Sequence, residues 1–247
     1  MTDLNSSAVE LTAEYRSVFA DILSQAVTGE LIGMQNFASM VGMVDSVDEK
    51  IEAVEHAENE KCHALAFRQA AAELGVEVIV DVDAPYWKRI RMAFLDRVEQ
   101  GDLTACVLIQ EIMLESFAVS TYLTVADVAH APLAKTFRAI ATEEQEHLEH
   151  ALDFLRGEYS RAPDEFELKV EQVHEDIMTV LAEMVAREDP HGHCGLCRNE
   201  CAKKSLQHVH LEIGTLRGRA LNFYLQALDR LGLPGEKTLK WVANLPV

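Results

Sequence analysis

The sequence predicts an all-α protein built on a four-helix bundle with additional C-terminal helices. Apolar residues recur at helical spacing along nearly the whole chain, glycine (12) and proline (6) are scarce among 247 residues, and the breaks separate segments long enough to span a bundle. The first helix runs from about Leu11 to Val44. Ser46 with Glu49 makes a capping box that opens a second helix, ending near Gly75. Val76 to Val82 alternates weakly, as a strand would, but has no evident partner. Pro85 starts a short helix to about Gln100. Gly101-Asp102 then breaks the chain, and Asp102 caps a long apolar helix to about Ala129. Pro132 suits the first turn of the next, which runs to about Gly157, and Pro163 begins another, to about Arg187. Asp189 to Cys201 is irregular, Ala202 to Gly232 reads as one helix, and Gly235 to Asn244 as a short last one. Two pairs of long helices joined by a long crossover thus fall within the first 157 residues. We expect residues 1–160 to form the bundle and 161–247 to pack C-terminal helices on it as one compact domain, with a Cys/His-rich segment at 189–201.

Composition narrows the function. The formal net charge of -19 argues against nucleic acid, whose phosphates need a basic surface, and equally against an anionic membrane surface. Met1 to Glu10 lacks the basic-then-apolar run of a signal peptide, and no stretch approaches the roughly 18 uninterrupted apolar residues of a membrane span. The five cysteines are odd in number and three crowd into one segment, so a disulfide framework is disfavoured and a cytoplasmic location expected. Cys62 and Cys106 read as small core residues.

Carboxylates and histidines interrupt the apolar stripes. Glu-x-x-His places two side chains on one helical face, but the motif alone is weak, since chance supplies roughly one. Context separates Glu60/His63, Glu144/His147 and Glu171/His174. Glu60 and His63 continue a stripe of Ala53, Ala57, Phe67, Ala70 and Leu74; Glu144 and His147 continue one of Leu133, Phe137, Ile140, Ala151 and Leu155. Glu171 and His174 lie off the stripe of Phe166, Val170, Val173, Ile177 and Met184 and read as solvated surface. Glu30 and Glu115 break two further stripes. An ionised carboxylate in an apolar interior costs several kcal/mol unless compensated, and four together repel one another. Two divalent cations would cancel four carboxylates and leave the histidines neutral. One Glu from each of two helices and Glu-x-x-His from two others is the general pattern of ferritin-like di-iron proteins. Carboxylate and imidazole suit iron, or manganese.

At these residues the chain resembles the cyanobacterial aldehyde-deformylating oxygenases, also called aldehyde decarbonylases. The best stretch, Cys106 to Tyr122, is similar to that family's CLLIQ-x4-E-x-FA-x3-Y; Gly29-Glu30 and Glu143-Glu144-x-x-His147-Leu148 resemble its first and last ligand helices. The separations of Glu60, Glu115 and Glu144 also match. The resemblance implies a ferritin-like di-iron oxygenase with Glu30, Glu60, His63, Glu115, Glu144 and His147 as metal ligands and Tyr122 beside the reaction. It implies a fatty aldehyde cut to a hydrocarbon one carbon shorter plus formate, with dioxygen and an external electron donor such as a ferredoxin and its reductase. Val125 stands where the family has a second tyrosine. A di-iron hydroxylase or N-oxygenase with another small substrate, and a non-enzymatic iron-binding protein, are the rival readings.

His191, His193, Cys194, Cys197 and Cys201 form the most unusual local stretch. Cys194 and Cys197 have the spacing of half a zinc or iron–sulfur site, Cys201 lies one helical turn on, and either histidine completes four ligands. A soft-ligand metal site, a redox dithiol and an ordinary loop with free cysteines are the three alternatives.

Overall fold

Polar side chains cap the starts of several of the long helices. In this computed structural model, which describes residues 11–186 and 202–246, the Thr12 side chain accepts the Tyr15 N–H at the head of α1 (Ala13–Met40). Ser46 and Glu49 complete their capping box before α2 (Val47–Leu74), and Gly75 ends it at φ 72°, a left-handed conformation that costs glycine nothing. A proline opens α3 (Pro85–Glu99). Asp102 accepts the Ala105 N–H at 3.1 Å and starts a continuous helix, Leu103–Ala126. That helix comprises α4 (Leu103–Val107), a π-helical segment (Leu108–Leu114) and α5 (Glu115–Ala126). Then follow α6 (Ala131–Arg161) and α7 (Pro163–Ala186).

α1 packs on α2 and α5 on α6, and the crossover carrying α3 joins the two pairs into a four-helix bundle. Leu103–Ala126 is long and apolar enough by composition to cross a membrane, yet 72% of its apolar window is buried inside the fold. It is the central helix of the bundle. The buried apolar side chains form two clusters. One gathers Phe37, Ile90, Phe94, Leu152, Ile177 and Leu228; the other gathers Phe19, Phe67, Val119, Phe137, Leu206 and Leu216.

Val76–Val82, which lacks a strand partner in the sequence, forms no strand, and the Ile79 N–H is donated to Ser24 Oγ of α1 at 3.0 Å. The structure corrects the sequence reading at three places. Ala202–Gly232 is not one helix. After α8 (Ala202–Ser205) it tightens into a 3-10 turn, Leu206–Val209, reverses through His210 at φ 56°, and restarts as α9 (Ile213–Arg230) before α10 (Gly235–Ala243). The reversal lets Leu206, Leu211 and Leu216 all bury in one cluster, which a straight helix would not allow. Cys106 is buried but Cys62 is exposed, because its neighbour His63 takes the inward position on α2. His174 is not solvated. It is 2% exposed, its Nδ1 lies 3.1 Å from the Tyr224 hydroxyl, and Glu171 accepts the Trp241 indole N–H at 3.0 Å. α9 and α10 supply both partners and cover a face that the α7 sequence marks as polar. Burial lowers the His174 pKa to about 4, so it stays neutral.

Tyr224 belongs to the same cluster as Phe94 and Leu152. We propose that bundle and C-terminal helices form one domain. Tyr224→Ala should then lower the unfolding free energy by about 3–5 kcal/mol, with one denaturant transition monitored by both helical circular dichroism and tryptophan fluorescence; two separate transitions would show two domains.

Candidate metal centre

Each bundle helix changes its apolar cluster at a glutamate. On α1, Val27 and Ile32 lie in different clusters on either side of Glu30. On the continuous helix Leu103–Ala126, Met113 and Val119 flank Glu115 in the same way. On α6, Ala141 and Leu148 flank Glu144 and His147, and on α2 Ala57 and Ala64 flank Glu60 and His63. The six residues named from sequence therefore lie in one polar layer between two apolar ones, each no more than 3% exposed.

Within that layer the side chains form two overlapping groups that could hold metal ions. Glu30, Glu60, His63 and Glu144 bring one ligand atom each within 4.8 Å of one another; Glu60, Glu115, Glu144 and His147 do the same. Glu60 and Glu144 belong to both. His63 Nδ1 lies 3.2 Å from Glu30 Oε2 and 3.1 Å from Glu144 Oε1. His147 Nδ1 lies 3.3 Å from Glu144 Oε2 and 3.5 Å from Glu115 Oε1. Glu60 Oε1, both Glu115 oxygens, Glu144 Oε2 and His147 Nδ1 have no hydrogen-bond partner, which buried polar atoms rarely tolerate. An oxygen- and nitrogen-rich set with orphaned lone pairs facing one another is what a pair of divalent cations requires.

Charge balance explains the electrostatics. Burial, then the neighbouring Glu144 and Glu30, pushes the Glu60 carboxyl well above its usual range. Burial also raises Glu115 well above normal, against the pull of His147. Burial opposes charging His63, yet the Glu144 and Glu30 carboxylates raise it to about 11; His147 reaches about 10 in the same way beside Glu115 and Glu144. With protons alone the layer must gather them, so divalent cations binding here would displace protons.

The backbone makes room for this layer. A Cβ on Gly33 would stand 2.9 Å from the Glu60 carboxylate and 3.2 Å from Gln110 Nε2, so a side chain at position 33 would displace the Glu60 carboxylate from its place in the layer. The π-helical segment ends immediately before Glu115; such widened turns occur often at functional sites. Tyr122 donates its hydroxyl to Glu30 Oε1 in a short hydrogen bond. Burial, then Glu30 and Glu144, raise the Tyr122 pKa well above normal and keep the phenol protonated.

A largely apolar cavity of about 180 Å³ reaches this layer from one side. Ile22, Ala26, Trp87, Phe117, Val125 and Leu216 are among its walls, and Glu30, Glu60, Glu115, Glu144 and Tyr122 lie at its inner end. Leu206, Ile213 and Leu216 bring the C-terminal segment into the wall.

Sequence reasoning missed the groups that orient the histidines. His63 Nε2 donates to Glu143 Oε2 at 2.9 Å, and the Asn59 amide lies 3.2 Å from His147 Nε2. Each directly precedes a glutamate of the layer, which is the signal that could have found them. It also missed Glu52, His56, Glu111 and His150, which continue the same helical faces by one further turn, or two in the case of Glu52. His191, His193, Cys194, Cys197 and Cys201 lie outside the described residues, and nothing here supports a zinc or iron–sulfur centre.

A family model described as long-chain fatty aldehyde decarbonylase matches residues 12–191. Among solved structures, Protein 19 with aldehyde deformylating oxidase activity from Synechococcus superposes with a TM-score of 0.77 at 18% identity, over 94% of this chain and 98% of that one. The shared fold is the ferritin-like four-helix bundle.

Gly33→Ala should push the Glu60 carboxylate out of the layer. We expect unchanged helical circular dichroism but cobalt(II) binding weakened at least about tenfold in a titration; unchanged cobalt affinity would show that Glu60 has no part in the centre.

Proposed function

The chain belongs to the long-chain fatty aldehyde decarbonylase family, and from that premise we propose that it is a di-iron aldehyde-deformylating oxygenase. The proposed reaction converts a fatty aldehyde and dioxygen to a hydrocarbon one carbon shorter plus formate. One observation carries the reading: two overlapping carboxylate–histidine groups, buried together at the inner end of an apolar cavity.

Glu30 and His63 would hold one ion, Glu115 and His147 the other, and Glu60 and Glu144 would span both. Iron bound there would supply redox equivalents and Lewis acidity toward the carbonyl; manganese suits the same donors. The apolar wall from Ile22 to Leu216 would take the alkyl tail and exclude water, leaving the polar aldehyde end at the carboxylate layer. That lining favours the aldehyde over the small polar substrate of a hydroxylase or N-oxygenase. Tyr122 acts by donating to Glu30, which fixes that carboxylate, and its protonated phenol lines the same cavity. Val125, also in the wall, leaves that position without a second phenol.

Cleavage of the aldehyde to hydrocarbon and formate is redox-neutral for the carbon skeleton. Every electron that reduces dioxygen must therefore come from outside, and a ferredoxin with its reductase is the donor class we infer. A cytoplasmic setting fits that donor and the free thiols of Cys62 and Cys106.

With iron, a reducing system and dioxygen, a long-chain aldehyde should yield hydrocarbon and formate in equal amounts, and neither without oxygen. Oxygen consumption with no aldehyde cleavage across a range of chain lengths would favour an oxygenase of another substrate. Glu143→Gln should weaken iron binding by about tenfold, because a carboxylate orients the His63 ring and an amide does so less strongly; equal iron affinity would remove Glu143 from the design.

A further inference from the structure

The polar layer continues outward on the side away from the apolar cavity. Glu52 and His56 of α2 and His150 of α6 bring one ligand atom each within 4.8 Å of one another. Glu52 Oε1 lies 3.1 Å from His150 Nε2. Glu111, on the π-helical segment, closes the group from within. It is 4% exposed, its Oε2 has no hydrogen-bond partner, and His150 Nδ1 stands 3.8 Å from that oxygen. A buried carboxylate oxygen without a partner is costly, so its place beside the His150 imidazole, on the cavity that Glu52 and His56 also line, needs a reason.

All four residues line one cavity of about 70 Å³, room enough for a hydrated cation. None of that cavity's lining residues is shared with the apolar cavity. The group abuts the inner layer: the His56 and His147 rings lie 4.3 Å apart between centroids. Three members stand one helical turn from an inner residue, His56 before Glu60, Glu111 before Glu115 and His150 after His147, and Glu52 stands one turn beyond His56.

We propose that Glu52, His56, Glu111 and His150 form a third divalent-cation site, which takes ferrous or manganous ions from solvent and passes them to the inner layer. Two carboxylates and two imidazoles match the donors that such ions prefer. His150 is 45% and Glu52 38% exposed at the side chain, so an ion held there can exchange with solvent, whereas each inner residue is no more than 3% exposed. The apolar cavity offers no stepwise replacement for a cation's water shell; this route replaces water by carboxylate and imidazole one turn at a time. The relay rests on reading the inner six as metal ligands, but the outer site does not.

Cobalt(II) titration of metal-free full-length protein tests both. Wild type should bind three equivalents, and Glu52→Gln/His150→Gln should bind two. Loading of the inner pair, followed by stopped-flow absorption, should slow by about tenfold when the charged entry is removed, with the final inner occupancy unchanged. The isosteric Glu111→Gln should also lose the third equivalent and guards against a misfolded double variant. Only two equivalents in wild type, or three in both variants, overturns the site. Loss of the third equivalent with wild-type loading overturns the relay. Glu60→Ala/Glu144→Ala should keep one equivalent, the outer one; three equivalents there would refute the inner assignment and leave the outer site standing.

Discussion

Four carboxylates buried within one layer of a helical bundle are the constraint on which the rest depends. Left charged and uncompensated they would repel one another in a low-dielectric interior and cost several kcal/mol apiece. The surrounding structure answers with two imidazoles placed between them and with atoms left unpaired toward a common centre. Two apolar clusters, above and below, hold this layer closed. The bundle therefore spends its tight aliphatic and aromatic packing on keeping an otherwise unfavourable polar layer in register. Family membership and the buried apolar cavity give that layer a chemical purpose.

The two sides of the layer differ. One opens to an apolar cavity walled in part by the C-terminal segment, through Leu206, Ile213 and Leu216. The other carries Glu111 and the half-exposed Glu52 and His150. An organic substrate and a hydrated cation have opposite solvation requirements, and separate approaches let each be met without compromise. The π-helical segment, buried throughout from Leu108 to Met113, contributes to both sides, with Gln110 toward the apolar cavity and Glu111 toward the polar one.

Small backbone choices carry much of the precision. Glycine at position 33 lets α1 approach the Glu60 carboxylate. The left-handed His210 turns the chain so that its leucines reach the bundle. Glu143 and Asn59 fix ring orientation from just outside the layer. None of these residues contributes an apolar side chain to the core, yet each governs where a buried side chain points.

The bundle, its helix order and the six inner residues were legible in the sequence, because a carboxylate that interrupts an apolar stripe is visible in helical periodicity alone. So were the Ser46–Glu49 capping box and the Gly75 stop, which depend on local hydrogen bonds and φ. What only the tertiary structure decided were the contacts between segments distant in the chain. His174 reads as surface on α7 by itself, and becomes buried because α9 and α10 fold over it. Cys62 and His63 are adjacent, and only the packing of α2 on its neighbours determines which faces inward. Glu52, His56, Glu111 and His150 come from three helical segments, each unremarkable in its own pattern. Periodicity reports which face of a helix is apolar; which polar residues of different helices meet is set by how those helices cross, and that information is not local.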